Sequence, residues 1–407
     1  MNEISGSRSI RVLFASTYPP RACGIGTFTR DLTQNIGRET DIIPDIAAVD
    51  ISEDEALEYG DEVVLRIPNC RPKAYREFAE RINSSEYDVV CVQHEFGIFP
   101  GEWGQELTDF YLTCSKPIVT TLHTVIPNCM DLPRQIINTI TTRSSATIVM
   151  AQIAVDILCT QYGAPSHGIR VIPHGVPPFN HIGKMAAKKK LELSERKVIS
   201  SFGLLSRAKG VEYMIAGMPD VVRQHPEALY LVLGQTHPIV RKHEGESYRA
   251  ELESLVSGMG LEDNVRFVGR FLSDEELSVY LEATDVYVTP YVGADQITSG
   301  ALARAVFFGK PVVSTPFLYA RELLADSRGR LVPFRNSQAL GGEVAAVLRD
   351  EAMRVAMEQD MLEYARRMSW ASVAREYAQV FADVASAGNR SRVAVVGAFT
   401  AQAARNL

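Results

Sequence analysis

The chain has 407 residues, with 42 basic against 49 acidic side chains and a formal net charge of −7. Apolar residues make up 46% and charged residues 22%, the profile of a soluble globular protein, which argues against disordered, collagen-like and coiled-coil chains. The mild acidity argues against a dedicated nucleic-acid binder, and at about 150 residues per domain the length predicts two domains or three.

The first residues, Met1 to Arg11, are polar and carry no signal-peptide core. No window approaches ~20 uninterrupted apolar residues, so no spanning helix and a cytoplasmic protein are expected. Cys23, Cys70, Cys91, Cys114, Cys129 and Cys159 are scattered over the first 160 residues without a Cys-x-x-Cys pair. In a chain this long they read as reduced and mostly buried, with no disulfide framework and no zinc site.

Ile10 to Ala15 is a short apolar run ending in Ser16-Thr17-Tyr18-Pro19-Pro20, a buried parallel strand followed by a loop. A helix should begin near Gly26 and continue through Phe28, Leu32 and Ile36. Further buried strands are predicted at 87–93, 117–122 and 146–150, so the first domain should be a doubly wound parallel sheet. Around Pro173 to Pro178, glycine and proline break the pattern and mark a domain junction; Lys188-Lys189-Lys190 reads as a solvated linker face. Strands at 198–203, 229–234, 265–269, 286–290 and 311–314 then build a second α/β domain. Ser273-Asp274-Glu275-Glu276 is an N-terminal capping box. From Trp370, apolar residues at Val373, Tyr377, Val380, Phe381 and Val384 have helical spacing. The predicted organisation is 1–178, 179–369, a helix over 370–388 and a tail over 389–407.

Ligands of an open α/β sheet gather at the carboxyl ends of its strands. In the first domain those ends carry His94, Glu95, His123 and the turn Gly24-Ile25-Gly26. A single histidine there is more simply a satisfied structural residue; three polar features on successive strand ends point to a site. The glycine turn is a poor dinucleotide fingerprint, because Thr29 stands where the third glycine belongs. It reads better as a turn whose small residues let backbone N–H groups approach an anion. This disfavours a nicotinamide dehydrogenase. In the second domain, Arg207 and Lys209 follow a strand and can meet a phosphate. Asp295-Gln296-Ile297-Thr298-Ser299-Gly300 runs into a helix whose first amides are open to one as well. No Asp-x-Asp pair occurs, so the simplest carboxylate platform for a nucleotide-bound divalent metal is missing.

In order and spacing these elements resemble a family 4 retaining glycosyltransferase of the GT-B fold. The markers are the early glycine turn, Val171-Ile172-Pro173-His174-Gly175-Val176, Gly203 through Lys209-Gly210, Val265-Arg266-Phe267-Val268-Gly269, Asp285 through Pro290, and Gly309-Lys310-Pro311-Val312-Val313. The resemblance implies two Rossmann-like domains facing a cleft, with the last helix crossing back to the first. It implies transfer of a sugar from a nucleotide diphosphate donor to a sugar, lipid-linked or small-molecule acceptor, with retained configuration and no metal or other cofactor. By the same resemblance His123, Lys209 and Gln296 are catalytic, with Lys209 pairing the diphosphate and His123 bonding the transferred sugar. Gly24, Gly26, Arg207, Asp295, Thr298, Ser299, Gly300, Arg304 and Glu322 would bind the donor, and His94 and Glu95 the acceptor. The family commonly carries two glutamates eight positions apart where this chain has Gln296 and Arg304, and an arginine where it has Leu204. Arg304 cannot accept hydrogen bonds from a ribose diol. These departures suggest a distinct branch with an unusual donor or donor pose, and leave two alternatives: a retaining phosphorylase on the same fold, or a non-catalytic nucleotide-sugar-binding partner.

Overall fold

The computed structural model describes the backbone of residues 9–403, apart from 22, 51–56 and 72, and the side chains as far as 387. The described residues form two compact units. One holds the chain up to Gly175 together with the helix from Trp370; the other holds Val176–Ser369.

The first unit is built on a seven-stranded, wholly parallel sheet in the order β3-β2-β1-β4-β5-β6-β7. Its strands are β1 (Arg11–Ser16), β2 (Ile43–Asp50), β3 (Val63–Pro68), β4 (Val89–His94), β5 (Ile118–Leu122), β6 (Ala146–Val149) and β7 (Ile169–Val171). The central strands β4 and β5 are buried along their whole length, which is why they read as unbroken apolar runs. The predicted four strands are present within two residues. β2, β3 and β7 escaped the reading because Pro44 and Asp45, Arg66 and Arg170 interrupt their respective apolar patterns. The first helix opens at Gly24, two residues before the expected start.

The Trp370–Ala403 helix completes this unit's core. Trp370, Val373, Tyr377 and Phe381 pack with Val12, Phe14, Phe28 and Leu32. The Phe14 and Phe381 rings meet edge to face at 5.7 Å. The Trp370 ring lies against Gly175, where an added Cβ would fall 2.2 Å from it. No larger residue fits there, so this glycine records the close return of the chain.

The second unit has a six-stranded parallel sheet in the order β10-β9-β8-β11-β12-β13. Its strands are β8 (Lys197–Phe202), β9 (Ala228–Leu233), β10 (Val265–Val268), β11 (Val286–Thr289), β12 (Val312–Ser314) and β13 (Gly329–Leu331). All five predicted strands are there; β13 is too short and too polar to announce itself. The capping box forms as expected, with Ser273 and Glu276 exchanging side-chain and backbone hydrogen bonds.

The lysine run ends the short Lys184–Lys190 helix: Lys189 and Lys190 are exposed to solvent, while Lys188 is turned in to pair with Asp285 and to donate to the Arg196 carbonyl. Asp285 is buried and also accepts the Val198 amide, and the Lys188 ammonium offsets its charge. The six cysteines form no disulfide, and against the expectation that most are buried only Cys91 is; Cys70 is exposed and the other four are intermediate. Among the described residues no helix is long and apolar enough to cross a membrane.

Candidate active site

In the second unit, the ends of β8, β9 and β11 enclose a pocket lined by Gly203, Leu205, Lys209, Leu233, Pro290 and Tyr291, among others. Parallel strands place it there, at the carboxyl edge of the sheet beside its topological switch point. Two glycines let the backbone close around it. Gly210 has φ 62°, and a Cβ there would lie 2.1 Å from the Pro290 carbonyl oxygen. Gly234 has φ 126° and packs on the Gly203 carbonyl. The single turn Arg207–Lys209 carries Lys209 over the pocket, with Nζ 4.1 Å from the centre of the Tyr291 ring. Tyr291 is itself held by stacking on Phe317, 5.0 Å between ring centres. Burial, and then the Lys209 charge, lower the pKa of His237.

Ser299 caps the Gly300–Phe307 helix, accepting the Leu302 amide, and its hydroxyl lies 3.4 Å from the Tyr291 phenol. The Gly300 and Ala301 amides open that helix. Gln296 donates from Nε2 to the Thr298 carbonyl at 2.8 Å, and its main-chain carbonyl accepts the Tyr319 amide. The Thr298 hydroxyl is buried and has no hydrogen-bond partner among the described residues. Asp295 is exposed at the start of the same loop.

Three predicted donor residues have other engagements. Arg207 turns outward, forking onto Glu251 with N–O distances of 2.8 and 2.6 Å, while its guanidinium covers Tyr248. Arg304 pairs with Asp274 at 2.7 Å. Glu322 does not line the pocket; burial raises the pKa of the nearby Tyr319 and Tyr364 phenols, and the Glu322 charge adds to it.

In the first unit, Gly26 sits in the opening turn of its helix in close quarters, since a Cβ would be 3.3 Å from Thr17 and Tyr18 backbone atoms. Gly24 is exposed with open space around it, and Cys23 at the cap position leaves the helix start without a side-chain cap. His123 follows β5. Its Nε2 lies 2.9 Å from Gln93 Oε1, and the Phe28 ring meets it edge to face at 4.9 Å. Gln93 continues to the Thr121 hydroxyl, which meets the Tyr377 phenol at 3.0 Å. His123 is thus tied through two residues to the last helix. Burial holds its imidazole neutral, with a pKa lowered to about 3, the His174 and His94 charges adding to the effect.

His94 is shut away from solvent, whereas Glu95 is partly exposed. Glu95 caps a short turn by accepting the Phe96 amide and also accepts the Thr124 hydroxyl. Burial raises its carboxyl pKa. His94 is fully buried, stacked on Phe99 and edge-on to Phe96.

Lys209, Ser299 and Gly300 therefore come together with Tyr291, and His94 with His123. Tyr291, Gln93 and Tyr377 were missed as partners. Tyr291 lies two residues beyond β11, a strand-end signal that was available; the Gln93–Tyr377 link crosses 284 positions and leaves no local trace. Among the described residues no cluster of three or more His, Cys, Asp or Glu side chains could hold a metal ion.

Two tandem parallel-sheet α/β domains of this kind define the GT-B architecture. The Anabaena protein HepE in complex with UDP superposes with a TM-score of 0.73 at 16% identity, over 92% of this chain and 100% of that one. Sucrose-phosphate synthase from Thermosynechococcus elongatus gives 0.73 at 18%, over 93% and 100%. Residues 24–178 match the family described as Glycosyltransferase Family 4, and residues 184–368 match Glycosyl transferases group 1. The chain thus carries both domains, and it is a glycosyltransferase. Among its relatives, phosphatidyl-myo-inositol mannosyltransferase of Mycobacterium leprae is 25% identical over 284 residues, 68% of this chain and 70% of that one. D-inositol 3-phosphate glycosyltransferase of Corynebacterium efficiens is 23% identical over 402 residues, 94% and 92%. Enzyme identity sets aside the non-catalytic reading.

Proposed function

We propose that this glycosyltransferase moves a hexosyl group from a nucleotide diphosphate sugar to a hydroxyl of a polyhydroxylated acceptor of the inositol class, with retention at the anomeric carbon. The observation that carries the donor assignment is Lys209 held over Tyr291 beside the open start of the Gly300–Phe307 helix. A fixed ammonium and open helix amides are the donor set a diphosphate requires. The acceptor class follows from the names of the relatives, which act on phosphatidyl-myo-inositol and D-inositol 3-phosphate.

In this reading the bond between the anomeric carbon and the β-phosphate oxygen breaks, and the acceptor oxygen bonds to the same face of that carbon. The acceptor proton passes to the leaving phosphate oxygen. Lys209 and the helix amides stabilise the charge that grows there, and no metal is needed. Gln296 hydrogen-bonds a sugar hydroxyl, and His123, neutral and oriented by Gln93, bonds the transferred sugar.

The test is a panel of UDP- and GDP-sugars ranked by thermal shift. The best donor is then incubated with D-inositol 3-phosphate or myo-inositol, and the anomeric coupling of the product is read by NMR. A product matching the donor's configuration supports the reading; an inverted product rejects retention. Donor stabilisation without transfer to either acceptor rejects the inositol class. Incubation with a disaccharide and inorganic phosphate instead, with sugar 1-phosphate as the product sought, separates a phosphorylase.

A further inference from the structure

Cys91 and Gln93 on β4, Thr121 on β5 and Tyr377 on the last helix bring four polar or polarisable side chains together, all of them shut inside the first unit. Gln93 Nε2 donates to Thr121 Oγ1 at 3.3 Å and to Cys91 Sγ at 3.4 Å. Its Oε1 faces His123 Nε2 at 2.9 Å. The Tyr377 phenol lies 3.0 Å from the Thr121 hydroxyl, and Thr121 also bonds the Cys91 sulfur.

A buried O–H or N–H left without an acceptor costs free energy, so the hydrogens of this group can be assigned by counting acceptors. One arrangement satisfies them all. Tyr377 donates to Thr121, Thr121 donates to Cys91, the Gln93 amide donates to both, and His123 Nε2–H donates to Gln93 Oε1. Thr121 Oγ1 then accepts twice, as a hydroxyl oxygen can. Turning the amide over breaks the arrangement. Nε2 would face His123, whose single bare nitrogen takes one of its two hydrogens and strands the other in the core.

We propose that Thr121 is a positioning residue of the transfer reaction: through Gln93 it holds His123 as the Nε2–H tautomer, so that Nδ1 meets the transferred sugar as a hydrogen-bond acceptor. The inference rests on the reading that His123 bonds that sugar, and deepens it by fixing the direction of the bond. The bond of the ring to the described residues runs through Nε2, Phe28 holds its plane edge-on at 4.9 Å, and 9% of its surface stays open. Burial keeps the ring from gaining a second proton, with a pKa lowered to about 3. His123 therefore offers a lone pair and no proton. A sugar hydroxyl can donate to it; an ionised phosphate oxygen, which has no hydrogen to give, cannot pair with it. No proton changes hands in this step.

The test uses full-length protein labelled in its histidine nitrogens, at neutral pH and without substrate. Long-range proton–nitrogen correlation NMR tells Nδ1 from Nε2 by their couplings to the ring C–H protons, and a His123→Ala sample assigns the signals. Wild type is expected to show a protonated Nε2 and a bare Nδ1; a protonated Nδ1 overturns the proposal. Thr121→Val is made together with Tyr377→Phe, because removing both partners strands no phenol in the core. Either orientation of the Gln93 amide then leaves one hydrogen over, and the two tautomers are expected within about fivefold of each other. Tyr377→Phe alone and Thr121→Ser both keep the hydroxyl beside Gln93 and should keep the single tautomer. A pure Nε2–H form in the double variant overturns the role of Thr121, as does a mixture already present in Tyr377→Phe. Turnover with the best donor should fall in proportion to the Nε2–H fraction, with the acceptor KM unchanged; turnover indifferent to that fraction overturns the positioning role. The spectra need no substrate, so a wild type that shows the single tautomer but no transfer counts against the proposed donor and acceptor alone.

Discussion

The Lys209 ammonium stands over the face of Tyr291, 4.1 Å from the ring centre, and the phenol of the same tyrosine approaches Ser299 at 3.4 Å. One aromatic ring therefore joins the cationic turn after β8 to the capped helix after β11. The ring's negative face holds the cation without neutralising it, so the charge stays available to a ligand. Replacing Lys209 with Ala should weaken UDP binding about 10- to 100-fold, the loss of a charge-assisted contact. Calorimetry on the folded variant reads this directly, and an unchanged affinity would remove Lys209 from the donor site.

Tyr291→Leu tests the other half of that pair. The apolar bulk remains near Phe317, while the cation loses its face and Ser299 its neighbour. A loss of UDP affinity on the order of fivefold is expected, matching about 1 kcal/mol for a cation–π contact. A comparable loss in a double variant with Lys209→Ala, rather than a product of the two, would show that they act together.

Gly210→Ala should be much more damaging than its size suggests. The position has φ 62°, and the new methyl would sit 2.1 Å from the Pro290 carbonyl oxygen. Destabilisation of at least about 2 kcal/mol is expected from combined strain and clash. Urea melts of the variant check the size, and UDP binding should fall with it because Lys209 rides on the same turn.

Gln296→Glu restores the family's usual residue, yet should not restore the family's geometry. The Gln296 amide now donates to the Thr298 carbonyl at 2.8 Å, and a carboxylate has no proton to give. Loss of about 1 kcal/mol in stability is expected, with weaker donor binding, because the loop that carries Thr298 and Ser299 is released. Tighter donor binding in this variant would show that the family pose is accessible after all.

Acid should destabilise the first unit through its buried histidines. His94 and His123 titrate near 6.5 when unfolded and near 3 when folded, with burial the main cause in both. The unfolded chain thus binds more protons below pH 6.5, so their stabilising contribution is complete above that value and declines as pH falls toward 3. The slope should approach about 1.4 kcal/mol per pH unit for each histidine. In His94→Leu, urea melts across this range should show a shallower decline.

Most of the strands and the terminal helix were legible because burial on both faces forces long apolar runs: β4 and β5 are cases in point, and Val373, Tyr377 and Phe381 repeat at helical spacing. β2 and β7 were not, since edge and near-edge strands tolerate proline and charge. The glycines at 26, 203 and 210 and the lysine at 209 stood out in sequence because backbone approach and phosphate chemistry restrict residue type locally. Their engagements did not. Arg207 and Lys209 lie two residues apart in one turn, yet one forks onto Glu251 and the other lies over Tyr291. Arg304 reads as a misplaced cation until Asp274 is seen at 2.7 Å.

By itself, then, the sequence determined two parallel α/β units, the junction near Pro173 to Pro178, and the strand ends where polar residues gather, because hydrophobic periodicity and backbone freedom are local properties. Only the tertiary structure decided which of those polar residues are spent on the protein's own partners, as Arg207, Arg304 and Glu95 are. It also revealed a His94 ring with no hydrogen-bond partner among the described residues. Pairing and burial depend on residues brought together from tens to hundreds of positions away, and such contacts leave no periodic mark in the chain.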